Sequence, residues 1–179
     1  MKKSIRKAKV QNLDVDWSKV TTIGIDLGDQ TSQFFALTAE GEPAGEGRLP
    51  TTAEAFEAKF GAIGSKVIAL ETGTHSPWAS RLLERLGHRV TVANSRKLRL
   101  IYENRNKNDK VDAEYLGRLV RMDPKLLNPV KHRSEQGQRH IALFRSRHAL
   151  VKTRSSLITL VRSCVKSIGS RIPRCSAEA

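Results

Sequence analysis

Four carboxylates stand out by where they fall. Asp26 lies in residues 21–28 (TTIGIDLG), a run rich in branched residues and ended by glycine, which reads as a β-strand. Strand alternation puts Gly24, Asp26 and Gly28 on one face and Ile23, Ile25 and Leu27 on the other. An aspartate inside an apolar strand is costly unless something neutralises it. The flanking glycines are expected to clear its surroundings for a phosphate or metal ion; the competing reading is a hydrogen bond to a neighbouring loop. Glu71 directly follows Val67-Ile68-Ala69-Leu70, so it ends a strand on the side where open α/β sheets bind ligands. A solvated acid is the alternative there. Asp109 and Asp112 are three apart at a predicted helix start and project from one face. The helix macrodipole by itself accounts for acids at such a place.

Taken together, two strand-end acids and an Asp-x-x-Asp helix can converge above a small sheet. Oxygen-only ligands suit Mg²⁺ or Mn²⁺ rather than zinc. Paired ions about 3.5–4 Å apart activate an attacking oxygen and stabilise the leaving one in phosphodiester chemistry. Arg105, Lys107 and Lys110, beside the aspartates, could hold a DNA or RNA backbone.

The elements that must position these groups follow from the pattern. Strands over residues 21–28, 30–39 and 44–49 form a meander with a turn at Glu40-Gly41-Glu42-Pro43. A helix opens at Thr51-Thr52, a short buried strand covers 67–70, and Ser76-Pro77 supplies an N-cap and first position for a helix that ends at Gly87. A strand over 89–93 precedes the helix that starts near Asp109 and ends before Pro124. Residues 134–168 lack proline and read as one long helix. Leu143, Leu150, Leu157 and Cys164 recur every seven residues, with Val161 and Ile168 on a neighbouring row, which asks for a partner helix. Arg147 and Arg154 interrupt that row and weaken the seam's first half.

The 179 residues carry 32 Lys and Arg against 18 Asp and Glu, a formal net charge of +14. The excess is uneven. Residues 1–9 hold five basic residues and no acid, 10–95 seven basic against 11 acidic, 96–133 11 against five, and 134–179 nine against two. A mildly acidic front half joined to a basic arm and a basic second half points to a nucleic-acid partner. Arg139, Arg145, Arg147, Lys152 and Arg154 form a basic run on the long helix, read as a nucleic-acid face against a merely solvated surface. The longest uncharged stretch is ten residues (30–39), far short of the roughly 20 a membrane helix needs. Neither a secretory signal nor a cysteine framework is present: Cys164 and Cys175 fit a reduced, cytoplasmic protein.

Gly24-Ile25-Asp26-Leu27-Gly28, Glu71-Thr72-Gly73 and Lys107-Asn108-Asp109-Lys110-Val111-Asp112-Ala113 resemble the DEDD-type insertion-sequence transposases, the bridge-RNA-guided recombinases of the IS110 family. Arg162, Lys166, Gly169, Arg171 and Pro173 resemble the end of that family's coiled-coil segment, so the likeness runs from about residue 21 onward. The resemblance implies an α/β fold, an RNase H-like (RuvC-like) mixed sheet flanked by helices and followed by a long coiled-coil helix. It implies that Asp26, Glu71, Asp109 and Asp112 are catalytic, metal-binding acids taking Mg²⁺ or Mn²⁺. The implied partners are DNA, a structured guide RNA and further copies of the chain, as a homodimer or larger assembly, with no membrane.

The expected organisation is a basic arm (1–16), a RuvC-like domain (17–130), a coiled-coil helix (134–170) and a tail (171–179) leading to a serine-bearing domain that this chain lacks. Without that domain the chain is not expected to complete recombination alone. Other readings are a non-catalytic RNA- and DNA-binding dimerisation module and a stand-alone RuvC-like Holliday-junction nuclease. Gly-Ile-Asp-Leu-Gly also resembles the phosphate hairpin of actin-like and sugar-kinase ATPases, but their second glycine-rich loop is missing. Trp78 reads as core rather than a ring that stacks on a base, His75, close after Glu71, as an exposed loop residue rather than a substrate contact, and His132, His140 and His148 lack metal-site spacing.

Overall fold

A computed structural model describes residues 15–98 and 109–173, with Asp109 and Lys110 described by their backbone alone. The chain divides into two compact units, 1–131 and 132–179, and each is taken by itself. The basic arm up to residue 14, Arg105, Lys107 and Cys175 lie outside the described residues.

The first unit is built on a five-stranded mixed sheet of order β3-β2-β1-β4-β5. Its strands are β1 (Val20–Asp26), β2 (Thr31–Thr38), β3 (Pro43–Pro50), β4 (Val67–Glu71) and β5 (Arg89–Ala93). The first three make the antiparallel meander, while β4 and β5 add parallel to β1. Helix α1 (Ala53–Phe60) starts at Thr52, whose hydroxyl accepts from the Ala55 amide, the usual N-cap contact. Helix α2 (Ser76–Arg85) ends before Gly87, which takes φ +89° as a helix-terminating glycine does. Ser76 is the first residue of α2 rather than its cap: its hydroxyl accepts from the Gly73 amide and donates to the Gly73 carbonyl, closing the preceding turn. A one-turn helix, α3 (Ser95–Leu98), and a 3-10 turn (Pro124–Leu127) were not anticipated from the sequence.

Strand alternation sorts the core onto two faces. Ile23, Ile25, Phe34, Ile68, Leu70 and Val92 pack under Phe56 and Phe60 of α1 and Ala79, Leu82 and Leu83 of α2. Trp17, Phe34, Phe56, Phe60 and Trp78 join this layer as a chain of rings with centroids 5.4 to 6.3 Å apart, mostly edge to face. The other face is covered by α4 (Asp109–Met122), which packs on β1, β2 and β4. Ala113, Leu116 and Val120 form its buried stripe at helical spacing. Leu116 and Val120 each contribute about 2 kcal/mol by that burial.

At Gly24 the seam between α4 and β1 has no side chain in it. A Cβ placed on Gly24 would lie 1.9 Å from the Ala113 carbonyl oxygen and 2.5 Å from the Gly117 nitrogen. Gly24 therefore does not clear space for a ligand beside Asp26, as its sequence setting suggested; it clears space for the helix backbone. Gly28 serves the β1–β2 turn in the same way, with the Thr31 carbonyl oxygen 2.3 Å from its would-be Cβ. At its far end α4 is tied to the β2–β3 turn: Arg121 Nε and Nη2 donate to the Ala39 carbonyl at 3.1 and 2.7 Å, and Arg118 reaches the Gly41 carbonyl.

In the second unit, α5 (Glu135–Ser167) runs 33 residues from Ser134, whose hydroxyl accepts from the Gly137 amide. None of its side chains is buried. Leu143, Leu150 and Leu157 are exposed, and so are Phe144, Val151 and Ile158 one position on. The apolar surface thus includes a further seven-residue row, Phe144, Val151 and Ile158, beside that of Leu143, Leu150 and Leu157. On a helical projection, Arg147, Arg154, Val161 and Ile168 fall between them, charged in the first half and apolar in the second. Among the described residues, no helix is long and apolar enough to cross a membrane.

Two outcomes test this packing. Gly24→Ala should cost about 3 kcal/mol or more by forcing backbone apart. Gly117→Ala, whose Cβ would meet only contacts of 3.1 Å and longer, gains about 1 kcal/mol of helix propensity against that strain and should change stability little. Urea denaturation of both variants checks the contrast. A second prediction concerns His88, which is buried between the first layer's elements. It accepts from the Lys66 amide at Nδ1 and bonds the Phe60 carbonyl through Nε2. Burial pushes its pKa below the usual imidazole value of 6.5, against the Phe60 contact, which raises it. The folded state thus favours the neutral ring, so stability is fully present above pH 6.5 and falls as pH drops from there towards the lowered folded value. His88→Gln should be less stable at neutral pH and should lose this part of the pH dependence.

Candidate active site

The sheet's parallel half presents its carboxyl ends side by side. The β1–β4 register pairs Ile25 with Leu70, so Asp26 and Glu71 each stand one residue beyond the last matched pair. Alternation puts both on the α4 face: Ile25 and Leu70 belong to the α1–α2 layer, whereas Ala69, two residues before Glu71, packs on the α4 side. Both acids are half-buried, and both have partners within the protein.

Helix α4 brings the second pair to the same end. Ala113 lies over Gly24, so Asp112 precedes the residue that touches β1. Asp112 is half-buried. Asp109 is the first residue of α4, one turn before that contact. Fold and spacing thus bring Asp26, Glu71 and Asp112 to one end of the sheet on its α4 side, with the backbone of Asp109 one turn before Asp112 and Ala113. Among the described side chains, no group of three His, Cys, Asp or Glu is drawn tightly enough to form a ready metal cage. The donor set still fits a hard divalent ion in kind, being carboxylate oxygens on half-buried residues at the rim of a sheet.

The loops that leave the acids are latched by hydroxyls. Thr51 Oγ1 donates to the Gly28 carbonyl at 2.9 Å and so accepts from the buried Ser32 hydroxyl at 2.8 Å. Its amide also donates to the Gln30 carbonyl. This fixes the turn after Asp26 to the entrance of α1. After Glu71, Thr72 Oγ1 lies 2.7 Å from Ser95 Oγ and accepts from the Ser95 amide, while the Thr72 amide donates to the Ala93 carbonyl. The strand end that carries Glu71 is thereby held against the start of α3. Neither latch was legible from spacing, because the partners are about 20 residues apart and hydroxyls in loops are common.

Of the basic candidates, Lys110 lies in the first turn of α4. Arg139, Arg145, Arg147, Lys152 and Arg154 are exposed along α5, and Arg139 is paired with Glu135 one turn earlier. His75 is less exposed than a plain loop histidine: Trp78 Nε1 donates to its Nδ1 at 3.1 Å. Their i, i+3 spacing at a helix start is the signal that could have revealed the pair.

A mixed sheet of order 3-2-1-4-5 with flanking helices and acids at the ends of its parallel strands defines an RNase H-like protein. Within that class, residues 23–169 match the family model of the IS110 DEDD transposases, described as a transposase, and the chain belongs to this family. It carries that family's transposase domain and, as such, acts on DNA. A comparison with curated proteins returned no match.

Thr51→Val tests the latch behind Asp26. Losing the hydroxyl strands the Ser32 donor and the Gly28 carbonyl, and should cost about 1–3 kcal/mol in denaturation. Amide exchange should accelerate at Leu27 to Gln30 while the α1–α2 layer keeps its protection.

Proposed function

We propose that Asp26, Glu71, Asp109 and Asp112 jointly hold divalent Mg²⁺ or Mn²⁺, and that this site cleaves and exchanges DNA strands in the transposition of an insertion sequence. The observation that supports this reading is the placement of two acids on adjoining parallel strand ends, under the helix start that bears the other two. When bound, the ions supply an activated attacking oxygen and stabilise the leaving one. The chain's own residues do the rest. Strands β1 and β4 fix the spacing of Asp26 and Glu71, and the side-chain-free contact at Gly24 fixes the height of α4 above them. Arg105, Lys107 and Lys110 hold the strand backbone beside the aspartates.

The same reading assigns the second unit to assembly and to guidance by a structured RNA. Arg139, Arg145, Arg147, Lys152 and Arg154 contact nucleic-acid phosphates, and the apolar rows of α5 pair with another copy of the chain in a homodimer or larger assembly. Residues 17–130 then form the catalytic unit, 134–170 the coiled coil, and 1–16 a basic arm lying along nucleic acid in the cytoplasm.

Mn²⁺ calorimetry on the folded chain tests the site, with and without a short DNA duplex because phosphate oxygens complete such coordination. Binding should be present and should collapse in both Asp26→Asn and Asp109→Asn. Binding that is absent under both conditions, or unchanged in the variants, would make the acids structural and leave a basic binding and dimerisation module.

A further inference from the structure

Because β1 and β4 are parallel neighbours, the loop after Asp26 and the loop after Glu71 leave the sheet side by side. They face each other through Asp29 and His75. His75 Nε2 lies 3.8 Å from Asp29 Oδ1, beyond hydrogen-bond reach. The other ring nitrogen is engaged. An indole N–H can only donate, so the Trp78 contact at 3.1 Å makes Nδ1 an acceptor. The neutral imidazole therefore carries its proton on Nε2. Trp78 is itself seated against Phe56, with ring centroids 5.4 Å apart, so the orienting group belongs to the core layer.

The result is a donor fixed in direction. The Asp29 carboxylate faces His75 Nε2 across this gap, and the His75 side chain is 28% exposed. Asp29 is 95% exposed, so its charge is screened by water, and an arriving oxygen can take its place at Nε2. In a basic protein that acts on DNA, the acceptor reaching the rim of the acidic end is a phosphodiester oxygen. We propose that His75 is a phosphate-contacting residue, donating from Nε2 to a non-bridging oxygen of the DNA strand that enters between the two loops. Trp78 is its positioning residue. The inference rests on the reading of the strand-end acids as the DNA site.

The test uses the full chain with isotope-labelled histidine nitrogens and a short DNA duplex of mixed sequence. Before DNA is added, the resonance lost in His75→Gln should show the Nε2–H tautomer, and saturating duplex should shift it. His75→Ala should weaken duplex binding about tenfold, the scale of one hydrogen bond to a charged group. His75→Gln, whose amide nitrogen reaches the Nε2 position, should keep most of the affinity. Trp78→Phe keeps a ring against Phe56 but should mix the tautomers and lose several-fold in affinity. An Nδ1–H signature in the free protein overturns the proposal. So does a resonance unmoved by duplex together with unchanged affinity in His75→Ala. Mn²⁺ binding without DNA separates the two readings. Acid variants that bind Mn²⁺ normally while His75→Ala loses duplex affinity sink the metal site alone. The reverse pattern sinks the histidine contact alone.

Discussion

At Gly24 the backbone of α4 lies on the backbone of β1 with no side chain between them, and the geometry of the acidic end follows from that contact. At Gly24 there is no room for one more carbon, because the Ala113 carbonyl and the Gly117 amide occupy the place. The buried stripe of Ala113, Leu116 and Val120 fixes the rotation of the helix, and Arg118 and Arg121 anchor its far end to the β2–β3 turn. A slip of one residue along the helix would move Asp112 by about 1.5 Å and turn it by about 100°. Height, rotation and register of the acidic turn are therefore set by packing of residues other than the acids themselves.

Around that fixed base the two strand-end loops are treated alike. Each is stitched to a neighbouring element by a hydroxyl pair, Thr51 with Ser32 and Thr72 with Ser95. The hydroxyls of Thr51, Thr72 and Ser95 also bond backbone, so the loops are held by groups that carry no charge. The charged and ring nitrogen groups, Asp29 and His75, stand outside these stitches at the rim. The structure thus separates the polar contacts that hold the site together from those left facing solvent.

Much of this was legible in the sequence, for reasons that can be named. Period-two alternation in residues 21–28, the helix opening at Thr51-Thr52 and the absence of proline from Ser134 to Ile168 are local signals, and the elements they mark are present. The placement of the acids at strand ends and at a helix start was also readable, because it depends on element boundaries. What was misread depended on contacts between distant segments. Gly24 looked like clearance for a ligand because nothing local reveals that α4, some 90 residues on, needs the space. Ser76 looked like a cap, yet its hydroxyl turns back to Gly73. On α5 the row of Leu143 and the neighbouring row ending in Val161 and Ile168 were read, but the further row of Phe144, Val151 and Ile158 was not.

The glycine seam also has a genetic consequence. Every change at the first or second base of a glycine codon introduces a side chain or a stop, so no other residue within one base change of Gly24 preserves the contact. The acids differ: a change at the third base exchanges aspartate and glutamate, keeping charge and oxygen donors. In a copy of this gene released from selection, a single-base change that replaces Gly24 would therefore disturb the fold at a position that takes no part in chemistry, whereas an exchange between aspartate and glutamate would leave that contact intact.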